Sequence, residues 1–187
     1  DSKSIVIDDE MKEVFACYVE SGFPLALCLN GSGIGHAAVC IGRPKVDRKL
    51  KMETETLNGK DFYIWNRSLS QFVVNDDNVA CYQKADIVWP TTYYNAYHGT
   101  SKWDKVRIDS FMVPLPSKVY RDAFNAIRCS KSIMKQIANS GTVMRTFLAS
   151  SRSFRDHIAK SSIMDSISKN ILLNVELPRF VWVTELS

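Results

Sequence analysis

No metal or nucleotide motif of familiar spacing occurs in this chain. Its five cysteines, at 17, 28, 40, 81 and 129, include no CxxC pair, so a structural zinc centre is not expected. The three histidines, His36, His98 and His157, form neither H-x-x-x-H nor H-E-x-x-H, which sets a zinc hydrolase aside. Ser150 and Ser151 lie outside any G-x-S-x-G elbow, and neither a P-loop nor a dinucleotide fingerprint is present. The expectation is therefore no cofactor and no metal. No apolar run approaches the roughly 18 residues of a membrane helix and no signal peptide is visible, so no membrane partner is expected. Scattered cysteines, odd in number, suit a reducing compartment, and a cytoplasmic location is the expectation. The chain opens at Asp1 without a methionine, as a processed, trimmed or partial chain does.

What is present suffices for an ordinary core. The 187 residues fit one domain, or a domain with an appendage, and 45% of them are hydrophobic. The formal charge of +4 is mild. Apart from "RPKVDRKLKM" at 43–52, the basic residues are interspersed with acids and serines, and that run reads as a solvated loop. No nucleic-acid partner is expected.

Along the chain, "DEMKEVFACYVES" (9–21) carries Met11, Val14, Phe15, Tyr18 and Val19 at helical spacing. Asp8, Asp9 and Glu10 favour its N-terminus and Gly22 its end. "FPLALCL" (23–29) and "HAAVCIG" (36–42) read as buried strands, and 43–59 as a long exposed connection. "DFYIWN" (61–66) and "QFVVND" (71–76) read as further strands. The stretch from 75 to 104 has no clean periodicity. "KVRIDSFMVPLP" (105–116) alternates as a strand does. From Ser117, a credible N-cap, the spacing predicts a helix ending near Gly141. A strand at "TVMRTFLAS", a helix at "SRSFRDHIAKS" and a closing strand at "ELPRFVWVTELS" complete the order. The class is α+β with a mostly antiparallel sheet.

"ESGFPLALCL", "GHAAVCIG" and "QFVVNDDN", in that order, resemble the later half of a papain-like cysteine peptidase, closest to the branch that processes bacteriocin leaders. The resemblance covers about residues 10–85. It implies a papain-like half-domain over 1–104, with 105–187 as a helix-and-strand extension packed on the same core. The ending, "RTFLASSRSF" and "LPRFVWVTEL", resembles that of bacterial proteins carrying the same histidine and "NDDN" segments. The resemblance makes His36 the general base and Asp76 the carboxylate that orients its ring, with Asn75 and Asp77 as neighbours. A thiol nucleophile needs an imidazole within reach, and the imidazole needs a partner that fixes its tautomer. Gly33 and Gly35 would let backbone approach closely beside the histidine. The plainer reading is that His36 merely opens a strand and that "NDDN" is turn chemistry.

The family's nucleophile stands at the start of a helix upstream of the histidine, and no cysteine here matches it. Cys17 falls in mid-helix, Cys28 inside an apolar strand, and Cys81 in the wrong part of the fold. The nucleophile is not identifiable. Either it lies outside this chain, or the scaffold has lost catalysis. The expected activity is cysteine-peptidase-like attack on a peptide or amide bond, with a peptide or protein as substrate. The alternative is an inactive binding or regulatory domain, within a larger protein or a homo-oligomer. Two lesser candidates remain. Arg145, Arg152, Arg155 and Arg179 would make an anion site if they converged. Trp89, Tyr93, Tyr94, Tyr97 and Trp103 would form a substrate wall, or else cap a core edge.

Overall fold

The computed structural model describes residues 8–31, 34–45, 51–88, 90, 106–137 and 139–187. Gly33, His98 and the aromatic set at 89–103 lie outside the described residues, as does the middle of the basic run, 46–50.

Helix α1 (Asp9–Glu20) begins where its sequence says it should. The Asp8 carboxylate accepts the Met11 N–H at 2.7 Å, and Gly22 takes φ +76° after the last turn. A tight reversal leads into β1 (Leu25–Gly31), which pairs antiparallel with β2 (Ile34–Gly42). β5 (Gln71–Asn75) lies on the other side of β2, and β6 (Gln83–Asp86) beyond it. β7 (Arg107–Met112) flanks β1, giving the order β6-β5-β2-β1-β7. The alternation of β1 is complete: Leu25, Leu27 and Leu29 are buried while Ala26, Cys28 and Asn30 are exposed. α1 lays Phe15, Ala16 and Val19 on that buried face, and Phe15 meets Phe72 and Phe111 edge to face, with ring centroids 5.5 and 5.4 Å apart.

A second sheet, β3-β4-β8-β9, stands on the other side of α1. β3 (Glu53–Leu57) and β4 (Lys60–Ile64) form a hairpin, β8 (Val143–Ser150) pairs parallel with β4, and β9 (Phe180–Leu186) pairs antiparallel with β8. Asn66, in the short 3-10 helix Asn66–Ser68, prolongs the β4–β8 junction. Its amide donates to the Thr146 C=O at 2.9 Å and accepts the Thr146 N–H at 2.8 Å. α2 (Ala123–Ile137) packs against α1, β8 and β9, while α3 (Ser151–Lys160) carries α4 (Ser166–Asn174) at the periphery. The class is α+β with two mostly antiparallel sheets. Residues beyond 104 contribute one strand to the first sheet and two to the second. Among the described residues no helix is long and apolar enough to cross a membrane.

Four elements differ from the sequence expectation. The connection 43–59 is not all exposed loop, because Glu53–Leu57 is a strand turned at Asn58–Gly59, both with positive φ (53° and 73°). That is the backbone a two-residue hairpin of matching twist demands. β6 lies inside the stretch read as aperiodic. α2 starts at Ala123 rather than after Ser117; Asp122 caps it, accepting the Asn125 N–H at 2.7 Å, and a turn closed by the Val119 N–H on the Pro116 C=O at 3.1 Å stands where the first helical turn was expected. α4 was not expected, although Asp165 caps it through the N–H groups of Ile167 and Ser168.

Candidate functional site

The register of the first sheet brings His36 and Asp76 together. Leu29 faces His36 across β1–β2, so the imidazole leaves the same side of the sheet as buried Ala38 and Cys40, at the sheet's end. On β5, Phe72 and Val74 point to that side, and Asp76 follows them in phase. Val39 pairs with Asn75, which sets Asp76 beside Ala38 and one diagonal step from His36. Diagonal neighbours on one sheet face are within reach of long side chains. The Nε2 of His36 lies 2.8 Å from the Oδ2 of Asp76, with the two side chains 14% and 3% exposed.

The carboxylate is itself held. Its Oδ1 accepts the Asn78 N–H at 3.0 Å, the Asp76 C=O accepts the Val79 N–H, and the Asn75 side chain accepts the Tyr82 N–H at 2.9 Å. "NDDN" is therefore a turn and a carboxylate mount at once, because the turn aims Asp76 at the ring. Gly35 is different from expectation: no described atom comes within 4 Å of where its Cβ would stand, so close approach does not require glycine there.

An anionic carboxylate beside Nε2 favours the tautomer with its proton on that nitrogen, which makes Nδ1 the basic nitrogen. His36, Asp76 and Asp77 also offer ligand atoms all within 4.8 Å of one another. One nitrogen and two carboxylates suit a divalent cation.

The cysteines do not complete the arrangement. Cys28 pairs with Ala37 and leaves the sheet on the face opposite His36. Cys40 shares the histidine's face but is buried, with its thiol pushed up to about 12 by burial, and its Sγ donates to the Gly42 C=O. Cys17 is wholly buried in α1; burial, then Glu13 and Glu20, hold its thiol well above the ordinary range. Cys81 is exposed just before β6, which β5 separates from β2. Cys129 is exposed on α2. None stands at a helix N-terminus, where a thiolate gains from backbone amides.

Three of the four candidate arginines are engaged separately, and Arg152 is exposed on α3. Arg145 binds Glu20 and Glu185 and lies over Phe147, Arg155 donates to the Val175 C=O, and Arg179 lies over Phe180. The sequence reading missed the two acids of α1 that matter most to packing, Glu13 and Glu20, whose carboxylates are 2% and 3% exposed. A cysteine between them, on what looks like the helix's polar face, was the available signal. No protein-family model, curated protein or solved structure matches the chain.

Proposed function

We propose that His36 and Asp76 are the base and orienting carboxylate of a cysteine-peptidase-like site on a papain-like scaffold, acting on a peptide or amide bond of a peptide or protein. The observation that carries this reading is the 2.8 Å bond from a sheet-end histidine to a nearly buried carboxylate that a turn holds in place. Nδ1 takes the proton of an attacking thiol, the thiolate adds to the carbonyl carbon, and the imidazolium returns the proton to the leaving amine. Water, deprotonated by the same nitrogen, then releases the acyl group and restores the thiol. Asp76 stabilises the imidazolium throughout. The reading requires a thiol from a polypeptide segment other than those bearing the five cysteines, and its setting is the cytoplasm, where the five free thiols persist.

The positions of those thiols favour a second reading, a scaffold that keeps the His36–Asp76 pair for structure and binds without turnover. Hydrolysis of a fluorogenic peptide library separates the two, using this chain within its natural polypeptide. Turnover blocked by iodoacetamide, and reduced by roughly 10²–10⁴ in His36→Ala, is expected of the enzyme. Turnover indifferent to either treatment would sink the catalytic role of His36. A folded protein with no turnover on any library member selects the second reading.

A further inference from the structure

β9 closes the second sheet, and among the described residues its outer edge is unpaired. Val143 and Ser187 exchange both backbone bonds, and the Ser151 N–H donates to the Arg179 C=O at 3.0 Å. In an antiparallel ladder such bonds alternate, so the odd-numbered residues of β9 face β8. The N–H and C=O groups of Phe180, Trp182, Thr184 and Leu186 consequently point the other way, and among the described residues no strand pairs with them. Protected edges carry a lysine, a proline, a bulge or a cover. Between Phe180 and Leu186 there is neither lysine nor proline, and the register with β8 is unbroken from Met144↔Leu186 to Ser150↔Phe180.

We propose that β9 pairs antiparallel with β9 of a second copy of this chain about a two-fold axis, joining two four-stranded sheets into one. Charge complementarity selects both the occupant and the register. Centred on Trp182, the pairing sets Arg179 opposite Glu185 of the second copy, twice by symmetry, and Val181 opposite Val183. Glu185, already bonded to Arg145 at 3.0 Å and 39% exposed, then stands between two guanidiniums. The half-exposed row of Phe147, Ala149, Val181 and Val183 continues across the junction. Centring on Val183 instead faces Val181 with Glu185. Centring on Val181 faces Val183 with Arg179 and puts Pro178, which has no N–H, opposite Thr184. A C2 contact needs one self-complementary patch, and this strand supplies it.

Sedimentation equilibrium of the full chain tests the pairing. The wild type should be dimeric, and Arg179→Glu, at an exposed position, should raise the dimer dissociation constant roughly tenfold or more by setting like charges opposite. Glu185→Arg should do the same, with circular dichroism confirming that each variant is folded. Mixing the two variants restores both facing pairs, so a heterodimer should form where neither homodimer does. A wild type that stays monomeric at its highest soluble concentration overturns the proposal. So does a dimer that Arg179→Glu leaves intact, or one dispersed instead by Ile167→Lys on the exposed apolar stripe of α4. Neither charge variant touches the His36–Asp76 pair, so this result and the peptidase reading stand or fall separately.

Discussion

The two faces of α1 dock by different physics. Toward the first sheet the helix presents Phe15, Ala16 and Val19 to a continuous apolar layer that includes Leu25, Leu27, Phe72 and Ile108. Toward the second it presents Glu13, Cys17 and Glu20, at spacings of four and three residues that align them on one side. Glu13 takes Arg67 and Lys131 at 2.9 Å each, and Glu55 takes the same two cations at 2.8 Å, closing a ring of alternating charge. Glu20 binds Arg43, Arg145 at 2.6 Å and the Trp65 indole N–H at 3.2 Å. The apolar cluster under the second sheet is correspondingly small: Leu57, Phe62, Ile64, Met134 and Met144. Apolar burial is non-directional, whereas buried ion pairs recover little beyond their own desolvation and instead penalise wrong partners. The first face supplies stability; the second fixes where β3, β4 and β8 sit.

The comparison breaks most plainly by emptying each face in turn. Phe15→Ala leaves a cavity under both Phe72 and Phe111 and should cost about 3–5 kcal/mol in urea denaturation. Glu13→Ala should cost less, about 1–3 kcal/mol, because it leaves the part-buried Arg67 and Lys131 with Glu55 alone. The sharper contrast is removal of the whole ring. Replacing Glu13, Glu55, Arg67 and Lys131 together by Leu or Met should be neutral or stabilising if the charges serve orientation. A loss as large as that of the single Glu13 variant would show that the charged face stabilises outright. The Glu13 Oε1 atom, buried without a hydrogen-bond partner, is the local reason to expect little net gain from the ring as it stands.

This contrast also separates what could be read in the sequence from what could not. Strict alternation in "LALCLN" and the period of Val14, Phe15, Tyr18 and Val19 announce one apolar face each, so α1 and the strands of the first sheet other than β6 were legible. Asp76 was reachable through the resemblance of "GHAAVCIG" and "QFVVNDDN" to the papain-like pattern, and the turn reading of "NDDN" did not by itself point to His36. Strands β4, β8 and β9 were read as well, but not their assembly into a second sheet, since its parallel junction, Tyr63↔Val143, joins segments eighty residues apart and leaves no local trace. Asn58–Gly59 between two alternating runs was a hairpin signal that went unread. Glu13 and Glu20 imitate the solvated side of an amphipathic helix, and only the fold reveals the cations that meet them. None of the five cysteines stands at a helix N-terminus, and two of them are buried, so neither pattern nor placement marks one as a nucleophile.

The smallest effect tests the two faces through their thiols. Cys17 lies on the charged face and Cys40 on the apolar one, and burial is the leading cause that raises both. In the native state both should resist a thiol reagent near pH 8, while exposed Cys28, Cys81 and Cys129 react; all five should react once the chain is unfolded. Each thiol keeps its proton in the fold but loses it in the unfolded chain above about pH 8.5. A raised folded value contributes stability in full below the unfolded value and loses it as pH rises. At about pH 9.5 each buried thiol should therefore lower stability by about 1.4 kcal/mol relative to pH 7.5. Cys40→Ala should remove its share of that alkaline slope, because only desolvation opposes the thiolate there. Cys17→Ala should remove at least as much, since Glu13 and Glu20 oppose it as well. If Cys17→Ala flattens the slope less than Cys40→Ala does, Cys17 ionises in the fold within this pH range, and Lys131 and the other cations of the charged face outweigh burial and the two carboxylates at that sulfur.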